Sequence, residues 1–413
     1  MFTISWKDNE EKYDNKDYVD TLSISPELPK SIDNHYLIKG DNYPVLIKLN
    51  EVYKEQVDII YIDPPYNTGN EFAYKDSFGT GSAKHDAWLS FMSRRLKLAL
   101  SLLKETGCIY IAIDQSELYV LKLLCDSIFG EDNFVNDFMW LHGKGKKDSW
   151  SRTLQQHTLC YAKNKKKLNS FRQLEETEYA TKNLDNDPRG EWFSGSISFN
   201  EKRSNPKHKN YFTVTSPSGV KWTRQWQCSK EEMDSLISDN KIYFGPSPSF
   251  DRVPRKKIFN NEIQEVIPKN IIDMVETTRG AQSHVDELLG AKGVFDNPKP
   301  VSLITHLISI TNMTKDAVVL DFFGGSGTTF EAVCELNEKD GGNRKAIIVQ
   351  KDEKCVERTE VQKIKRMEKN TITFDSIYEI CKARIKKVCE LYDSNLFFSN
   401  ASLNEYCLNG DEN

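Results

Sequence analysis

Asp63, Pro64, Pro65 and Tyr66 follow directly on the apolar run VDIIYI. Two successive prolines fix φ and donate no backbone hydrogen bond, so the Pro64 carbonyl is held in one direction. Asp63 adds an acceptor at the carboxyl end of the run, and Tyr66 adds a flat ring one turn of the loop away. Two acceptors beside a stacking face suit an exocyclic amino group on a planar heterocycle. Its two N–H groups would go to the Asp63 carboxylate and the Pro64 carbonyl, with its ring on Tyr66. Those bonds draw the nitrogen toward tetrahedral geometry and aim its lone pair at an electrophile. A rigid turn leaving a strand is the plain alternative.

A second loop, Asp321-Phe322-Phe323-Gly324-Gly325-Ser326-Gly327-Thr328-Thr329, also lies between an apolar run and a helical pattern. Glycines let a backbone approach a ligand closely, and the helix start beyond them favours negative charge. Read as GxGxxG from Gly325, the loop has Phe330 where the third glycine belongs, so it is not a dinucleotide fingerprint. No Lys follows Gly327, so it is not a Walker A loop either. A tight strand–helix turn would explain FxGxG by itself; pairing with the first tetrapeptide makes the signal strong.

Both loops need a sheet to hold them. Apolar runs at 36–39, 57–63, 109–114, 317–323 and 346–350 read as buried parallel strands. Helical periods lie between them, at 87–104, after Ser116, at 300–311 and at 328–336. In the first, Trp88, Phe91, Met92, Leu96, Ala99 and Leu103 share one stripe. The alternation predicts an α/β fold with a doubly wound sheet. Between about 141 and 290 the pattern becomes irregular and Trp-, Pro- and Gly-punctuated, which reads as an inserted domain. The expected organisation is an arm over 1–34, a main domain over 35–140 and 291–365, the insert over 141–290, and a helical extension over 366–413. The stripe at 377–391 is expected to cover the sheet.

The charge is uneven. Of 56 basic and 61 acidic residues, 25 and 19 fall in 141–290, so that stretch is positive within a chain of net charge −5. Residues 201–226 interleave Lys and Arg with Tyr, Phe and Trp, a composition that can neutralise phosphates and contact bases. A solvated face with ordinary core aromatics has the same composition. Nine cysteines form no CxxC pair, which fits reduced thiols in a cytosol. The seven histidines are scattered, so no metal is expected, and His157 reads as structural. The mean hydropathy of −0.59 and the charged first residues predict neither a membrane span nor a secretory signal, and a cytoplasmic protein.

The tetrapeptide with FxGxG resembles the amino-group DNA methyltransferases that use S-adenosylmethionine. Having the tetrapeptide first and the glycine loop far downstream resembles their permuted beta arrangement. More closely, the chain is similar to modification subunits of type III restriction–modification systems. The similarity runs through 37–42 (LIKGDN), 61–70 (YIDPPYNTGN), 129–134 (FGEDNF), 161–164 (YAKN), 190–193 (GEWF), 242–245 (IYFG), 295–300 (FDNPKP) and DFFGGSGTT. It covers roughly residues 35–395.

The resemblance implies a Rossmann-like, circularly permuted methyltransferase fold with an inserted target-recognition domain. It further implies that the strand bearing FxGxG lies beside the one bearing the tetrapeptide, at the topological switch point. Asp63, Pro64, Pro65 and Tyr66 would hold a target adenine flipped out of double-stranded DNA. Asp321, Phe323, Gly325 and Gly327, with Thr328 opening the helix, would border the methionine part of S-adenosylmethionine. Lys299 and Pro300 match the segment that opens the cofactor-side helix, and Asp41 matches the acid near the cofactor's adenine. Gln350 stands where many relatives carry an acid on the ribose. Asp rather than Ser at the first tetrapeptide position favours adenine N6 over cytosine N4; a silent DNA-binding or assembly protein is the other alternative. Candidate DNA contacts are Lys144, Lys146, Lys147, Arg152, Lys202, Arg203, Lys221 and Arg224. A homodimer and a restriction (helicase-nuclease) subunit are the family's expected partners.

Overall fold

In Val57–Ile62 all six residues are buried, as expected of a parallel strand covered by helices on both faces. Its neighbours repeat the pattern, and in the computed structural model they assemble into one ten-stranded mixed sheet among the described residues. Those residues are 5–69, 76–79, 81, 83–142, 150–176, 182–259, 263–355, 374–393 and 404–409. In chain order the strands are β1 (Ser23–Ser25), β2 (Tyr36–Lys39), β3 (Val57–Ile62), β4 (Leu103–Ile113) and β5 (Phe134–Leu141). They continue as β6 (Gln155–Ala162), β7 (Ile271–Ile272), β8 (Val318–Asp321), β9 (Lys345–Gln350) and β10 (Asn404–Asn409). The order across the sheet is β1-β10-β2-β9-β8-β3-β4-β6-β5-β7. From β10 to β4 the strands are parallel; β6 is antiparallel to both β4 and β5.

The longer helices of the first unit are α1 (Asn42–Tyr53), α2 (Ala83–Leu102), α3 (Leu118–Phe129), α4 (Thr278–Leu289), α5 (Val301–Ile310), α6 (Thr328–Asp340) and α7 (Ile377–Asp393). Apolar residues of α1, α2 and α3 pack on one face of the sheet with Ile60 and Ile62 of β3. Those of α5, α6 and α7 pack on the other with Ile59 and Tyr61. A period of two along β3 thus feeds two cores, which is the doubly wound arrangement.

β8 lies beside β3, with Val319 opposite Ile59 and Leu320 opposite Ile60. From β3 the chain passes through α2 to β4 on one side; from β8 it passes through α6 to β9 on the other. The two connections diverge, so a crevice opens between the carboxyl ends of β3 and β8, where open α/β sheets bind ligands.

The insert is narrower than the expected 141–290. The second compact unit is Arg172–Ile267, and the first is Met1–Phe171 with Pro268–Asn413. Residues 155–162 are a central strand, β6, with Leu159, Cys160 and Tyr161 buried in the sheet. The lysines that follow this run make the stretch look like a basic loop. Residues 278–289 form α4, whose Val285 and Leu289 pack with Phe295, Ile377 and Ile380. Both termini also add strands, since β1 pairs with β10 and β10 with β2.

The Arg172–Ile267 unit has a hairpin of Tyr211–Thr215 and Lys221–Gln225, a three-stranded sheet of Ile242–Tyr243, Arg255–Phe259 and Trp192–Gly195, and the helix Lys230–Ser238. Its core gathers Ile197, Val214, Trp226, Met233 and Phe244. Among the described residues no helix is long and apolar enough to cross a membrane.

Candidate active site

The tetrapeptide loop is fixed from several sides. Trp88, fully buried on α2, donates its indole N–H to the Pro65 carbonyl at 2.7 Å. Asn67 takes a left-handed conformation (φ 60°) that asparagine tolerates better than most residues. Its backbone N–H goes to Asp76 Oδ1 at 2.8 Å, its Oδ1 receives the Phe78 N–H at 3.1 Å, and its Nδ2 reaches Glu117 Oε1 at 2.7 Å. The turn that ends β3 is therefore closed by Asp76, Phe78 and Glu117 at the start of α3.

Inside this loop Asp63 has two partners. Tyr66 donates its hydroxyl to Oδ1, and Lys299, which precedes α5, donates Nζ to Oδ2 at 2.8 Å. The same ammonium lies 2.8 Å from the Tyr66 oxygen and 5.2 Å from its ring centroid. Lys299 is only 8% exposed, so its charge is matched by Asp63 rather than by water. The sequence put Lys299 on the cofactor side; the structure brings it into contact with the acceptor residues.

The glycine loop is held differently. Asp321 is buried and receives the Phe323 N–H at 2.9 Å and the Thr329 hydroxyl at 2.5 Å. Burial pushes its carboxyl up to about 7, against the pull of those two donors, and the charge of Asp63 adds to the rise. Gly325 N–H goes to the Gln350 side-chain oxygen at 2.8 Å, and Gly324 N–H to the Val349 carbonyl at 3.0 Å. A Cβ on Gly324 would stand 2.6 Å from Ile348 Cγ2, so this glycine is needed for close approach to β9. Gln350 thus braces the loop while also lining both cavities.

Asp41 caps α1 by accepting the Tyr43 N–H at 3.0 Å and lies 3.3 Å from both Arg95 and Lys351. Burial opposes its charge, but the Arg95 guanidinium and Lys351 hold its carboxyl below the usual range. Asn42, beside it, donates to the Phe322 carbonyl at 2.8 Å, tying this corner to the glycine loop.

Two cavities meet at these turns. One, of about 120 Å³, is lined by Tyr61, Asp63, Pro65, Phe295, Lys299, Asp321, Phe323, Gly325, Ser326, Thr328 and Gln350. The other, of about 690 Å³, is lined by Asp41, Asn42, Pro65, Phe78, Phe91, Phe323, Gln350 and Lys351. Pro65, Phe323, Gln350 and Glu353 belong to both walls. Acceptor and glycine-loop residues therefore face one space. Pro64 is buried, Pro300 caps α5, and Gly327, at φ 86°, lies close to Ile385 and Cys381.

The candidate DNA-contacting residues divide. Arg152, and in the second unit Lys202, Arg203 and Lys221, are exposed. Arg224 is buried, 3.3 Å from Glu201, so it presents no surface cation, and Trp226 is a core residue. Lys144, Lys146 and Lys147 lie outside the described residues. His157 is buried, 2.8 Å from Asp137. Trp88 and Asn67 were missed as site residues; the one reads as an ordinary member of an apolar stripe, the other as an ordinary loop residue.

The two turns sit at the switch point of a doubly wound sheet, and comparison with known proteins places the chain in a family. A sequence profile described as DNA methylase matches residues 57–383, and the chain belongs to that family. It is 33% identical over 407 residues to the Mod subunit of the type III restriction-modification enzyme StyLTI of Salmonella typhimurium, covering 91% of this chain and 60% of that protein. To the EcoPI Mod subunit of Escherichia phage P1 it is 36% identical, covering 85% and 62%. To the type II methyltransferase M.KpnI of Klebsiella pneumoniae it is 32% identical, covering 80% and 84%. The chain thus spans about 60% of the length of the first two relatives.

Proposed function

We propose that the protein transfers a methyl group from S-adenosylmethionine to the N6 amino group of adenine in DNA, as the modification component of a restriction–modification system. The observation that carries this reading is the pairing of β8 with β3, which sets Asp63 and the glycine loop on one cavity.

The residues fit the cofactor. The Tyr61 hydroxyl is buried, has no hydrogen-bond partner among the described residues, and lines the smaller cavity, so it suits a polar ligand. The Asp321 carboxyl, on the same wall, adds a polar group that suits a hydrogen-bonding ligand. Around the larger cavity, Asp41 and the rings of Phe78, Phe91 and Phe323 suit a purine bearing an amino group. On this reading Asp321, Phe323, Gly325 and Thr328 hold the methionine part and Asp41 the adenine end, with Gln350 bracing the loop and Lys299 and Pro300 opening the helix beside it. When bound, the cofactor supplies an electrophilic methyl group on a sulfonium.

The chain's own residues do the rest by position. Asp63 accepts one N–H of the target amine and the Pro64 carbonyl the other, while Tyr66 stacks on the base. In the structure the Lys299 ammonium donates to Asp63, so the entering amine replaces it donor for donor. Extruding the base costs a few kcal/mol, offset by stacking on Tyr66 and by phosphate contacts. Holding the reactants in line can remove ~7–11 kcal/mol of barrier, and the released proton can leave to water. Asp at the first tetrapeptide position favours adenine over cytosine. Exposed Arg152, Lys202, Arg203 and Lys221 are assigned to phosphates, and the Arg172–Ile267 unit to sequence recognition. Double-stranded DNA is the proposed substrate, and a second copy and a restriction subunit are the proposed partners; relatives named as Mod subunits of type III restriction-modification enzymes support the restriction partner.

Incubating the protein with methyl-labelled S-adenosylmethionine and DNA, then digesting the DNA to nucleosides, tests this. Label in N6-methyldeoxyadenosine is expected. Label in N4-methyldeoxycytidine would change the base, and no label at any salt concentration would leave a DNA-binding protein.

A further inference from the structure

Behind the glycine loop lies a charged cluster that the reaction described above does not use. Arg384, on α7, is completely buried. Its Nη1 donates to Ser326 Oγ and to Thr328 Oγ1, each at 2.8 Å, and its Nε donates to Glu331 Oε2 at 2.8 Å. Glu331 uses its other oxygen on His284 Nε2 of α4, at 2.6 Å. One guanidinium thus binds both hydroxyls flanking Gly327 and the first turn of α6. The stretch matched by the DNA methylase profile ends at residue 383, one position short of this arginine.

The bonds have a chemical consequence. A hydroxyl has one hydrogen and two lone pairs. A lone pair of each is taken by Arg384, and the two oxygens lie 3.3 Å apart, so one hydroxyl donates to the other and the hydrogen of the second is left to donate to a ligand. Both residues line the smaller cavity at the start of a thirteen-residue helix, where the backbone also favours an anion. A buried arginine needs its charge matched, and Glu331 does that without touching the hydroxyls.

Resting on the cofactor reading above, we infer that Arg384 is a positioning residue: through Ser326 and Thr328 it prepares the glycine loop to receive the carboxylate of the cofactor's methionine part. Helix α7 is then a working part of the donor site as well as a cover for the sheet.

The test compares the affinity of the intact chain for S-adenosylhomocysteine with that for 5′-methylthioadenosine, which lacks the amino-acid end with its carboxylate and ammonium, by calorimetry. The wild type should prefer S-adenosylhomocysteine. Arg384→Lys keeps a charge for Glu331 but loses the fork, and Arg384→Met loses both. Each should weaken S-adenosylhomocysteine by about tenfold or more while leaving methylthioadenosine within about twofold, as expected for losing charge-assisted bonds. Should Arg384→Met fail to fold, Arg384→Lys decides alone. Equal losses for both ligands, or an unchanged ratio in a folded variant, would overturn the inference and leave the methyl-transfer reading intact. A wild type that binds neither ligand would remove that reading, and this inference with it.

Discussion

The two turns that meet at the switch point are stiffened by opposite means. The acceptor turn carries its rigidity in its own sequence: two prolines, then Asn67, with Trp88 fastening the Pro65 carbonyl from the next helix. The glycine turn has little rigidity of its own and borrows it from β9 through Gln350 and from α7 through Arg384. The charges differ as well. Asp63 is matched by a lysine, whereas Asp321 is buried with two neutral donors and its carboxyl is raised to about 7. The lesson is that a turn that must come close to a ligand gives up side chains, and its order is supplied from elsewhere in the fold.

The contrast in charge gives the largest expected effect. The Asp321 carboxyl is raised to about 7 in the folded protein, against ~3.9 in an unfolded chain. A raised folded value means stability that is fully present below about pH 4 and lost as pH rises through about 7. At 1.36 kcal/mol per unit the full loss is ~4 kcal/mol, of which roughly two thirds falls between pH 5 and pH 8. Unfolding free energy measured at pH 5 and pH 8 should fall in the wild type, and Asp321→Asn should flatten that slope; equal slopes would erase this half of the contrast. On the acceptor side, Tyr66→Ala should lower methyl transfer by roughly 10- to 100-fold, the loss of ~1–3 kcal/mol of stacking. Binding of S-adenosylhomocysteine should survive.

Two further variants address the bracing itself. Trp88→Phe keeps a ring in the core but leaves the Pro65 carbonyl without its donor. A cost of about 1–3 kcal/mol in stability is expected by denaturant unfolding, with slower transfer and unchanged cofactor affinity. Gln350→Ala removes the acceptor for the Gly325 N–H. Here about 1 kcal/mol is expected, seen as weaker S-adenosylhomocysteine binding, while fluorescence of 2-aminopurine DNA reports an unaffected acceptor side. If Trp88→Phe damaged cofactor binding and Gln350→Ala damaged base binding, the two turns would not be independently braced.

This division also explains what could be read from the sequence. Asp63 through Tyr66 were legible because strand, prolines and ring are contiguous, and the five buried strands because parallel strands are apolar throughout. The doubly wound order followed from the alternation of strands and helices together with the family resemblance. The Lys299 contact was not legible, since Lys299 is 236 residues from Asp63 and only the sheet brings them together. β6 was hidden by the lysines after it, and Arg384 by a helical stripe that looks like ordinary cover. Gln350 was noticed for its position, but its partner depends on how β9 lies against β8, which spacing along the chain does not encode.

The most direct measurement is Asp63→Ala, assayed twice on the same preparation. Calorimetry with S-adenosylhomocysteine reports the donor side, and transfer of labelled methyl to DNA reports the joint work of both turns. The account predicts cofactor binding within about threefold of wild type and transfer reduced by at least about a thousandfold, in line with losing a charge-assisted contact that positions the amine. Near-normal labelling of adenine by this variant would contradict it.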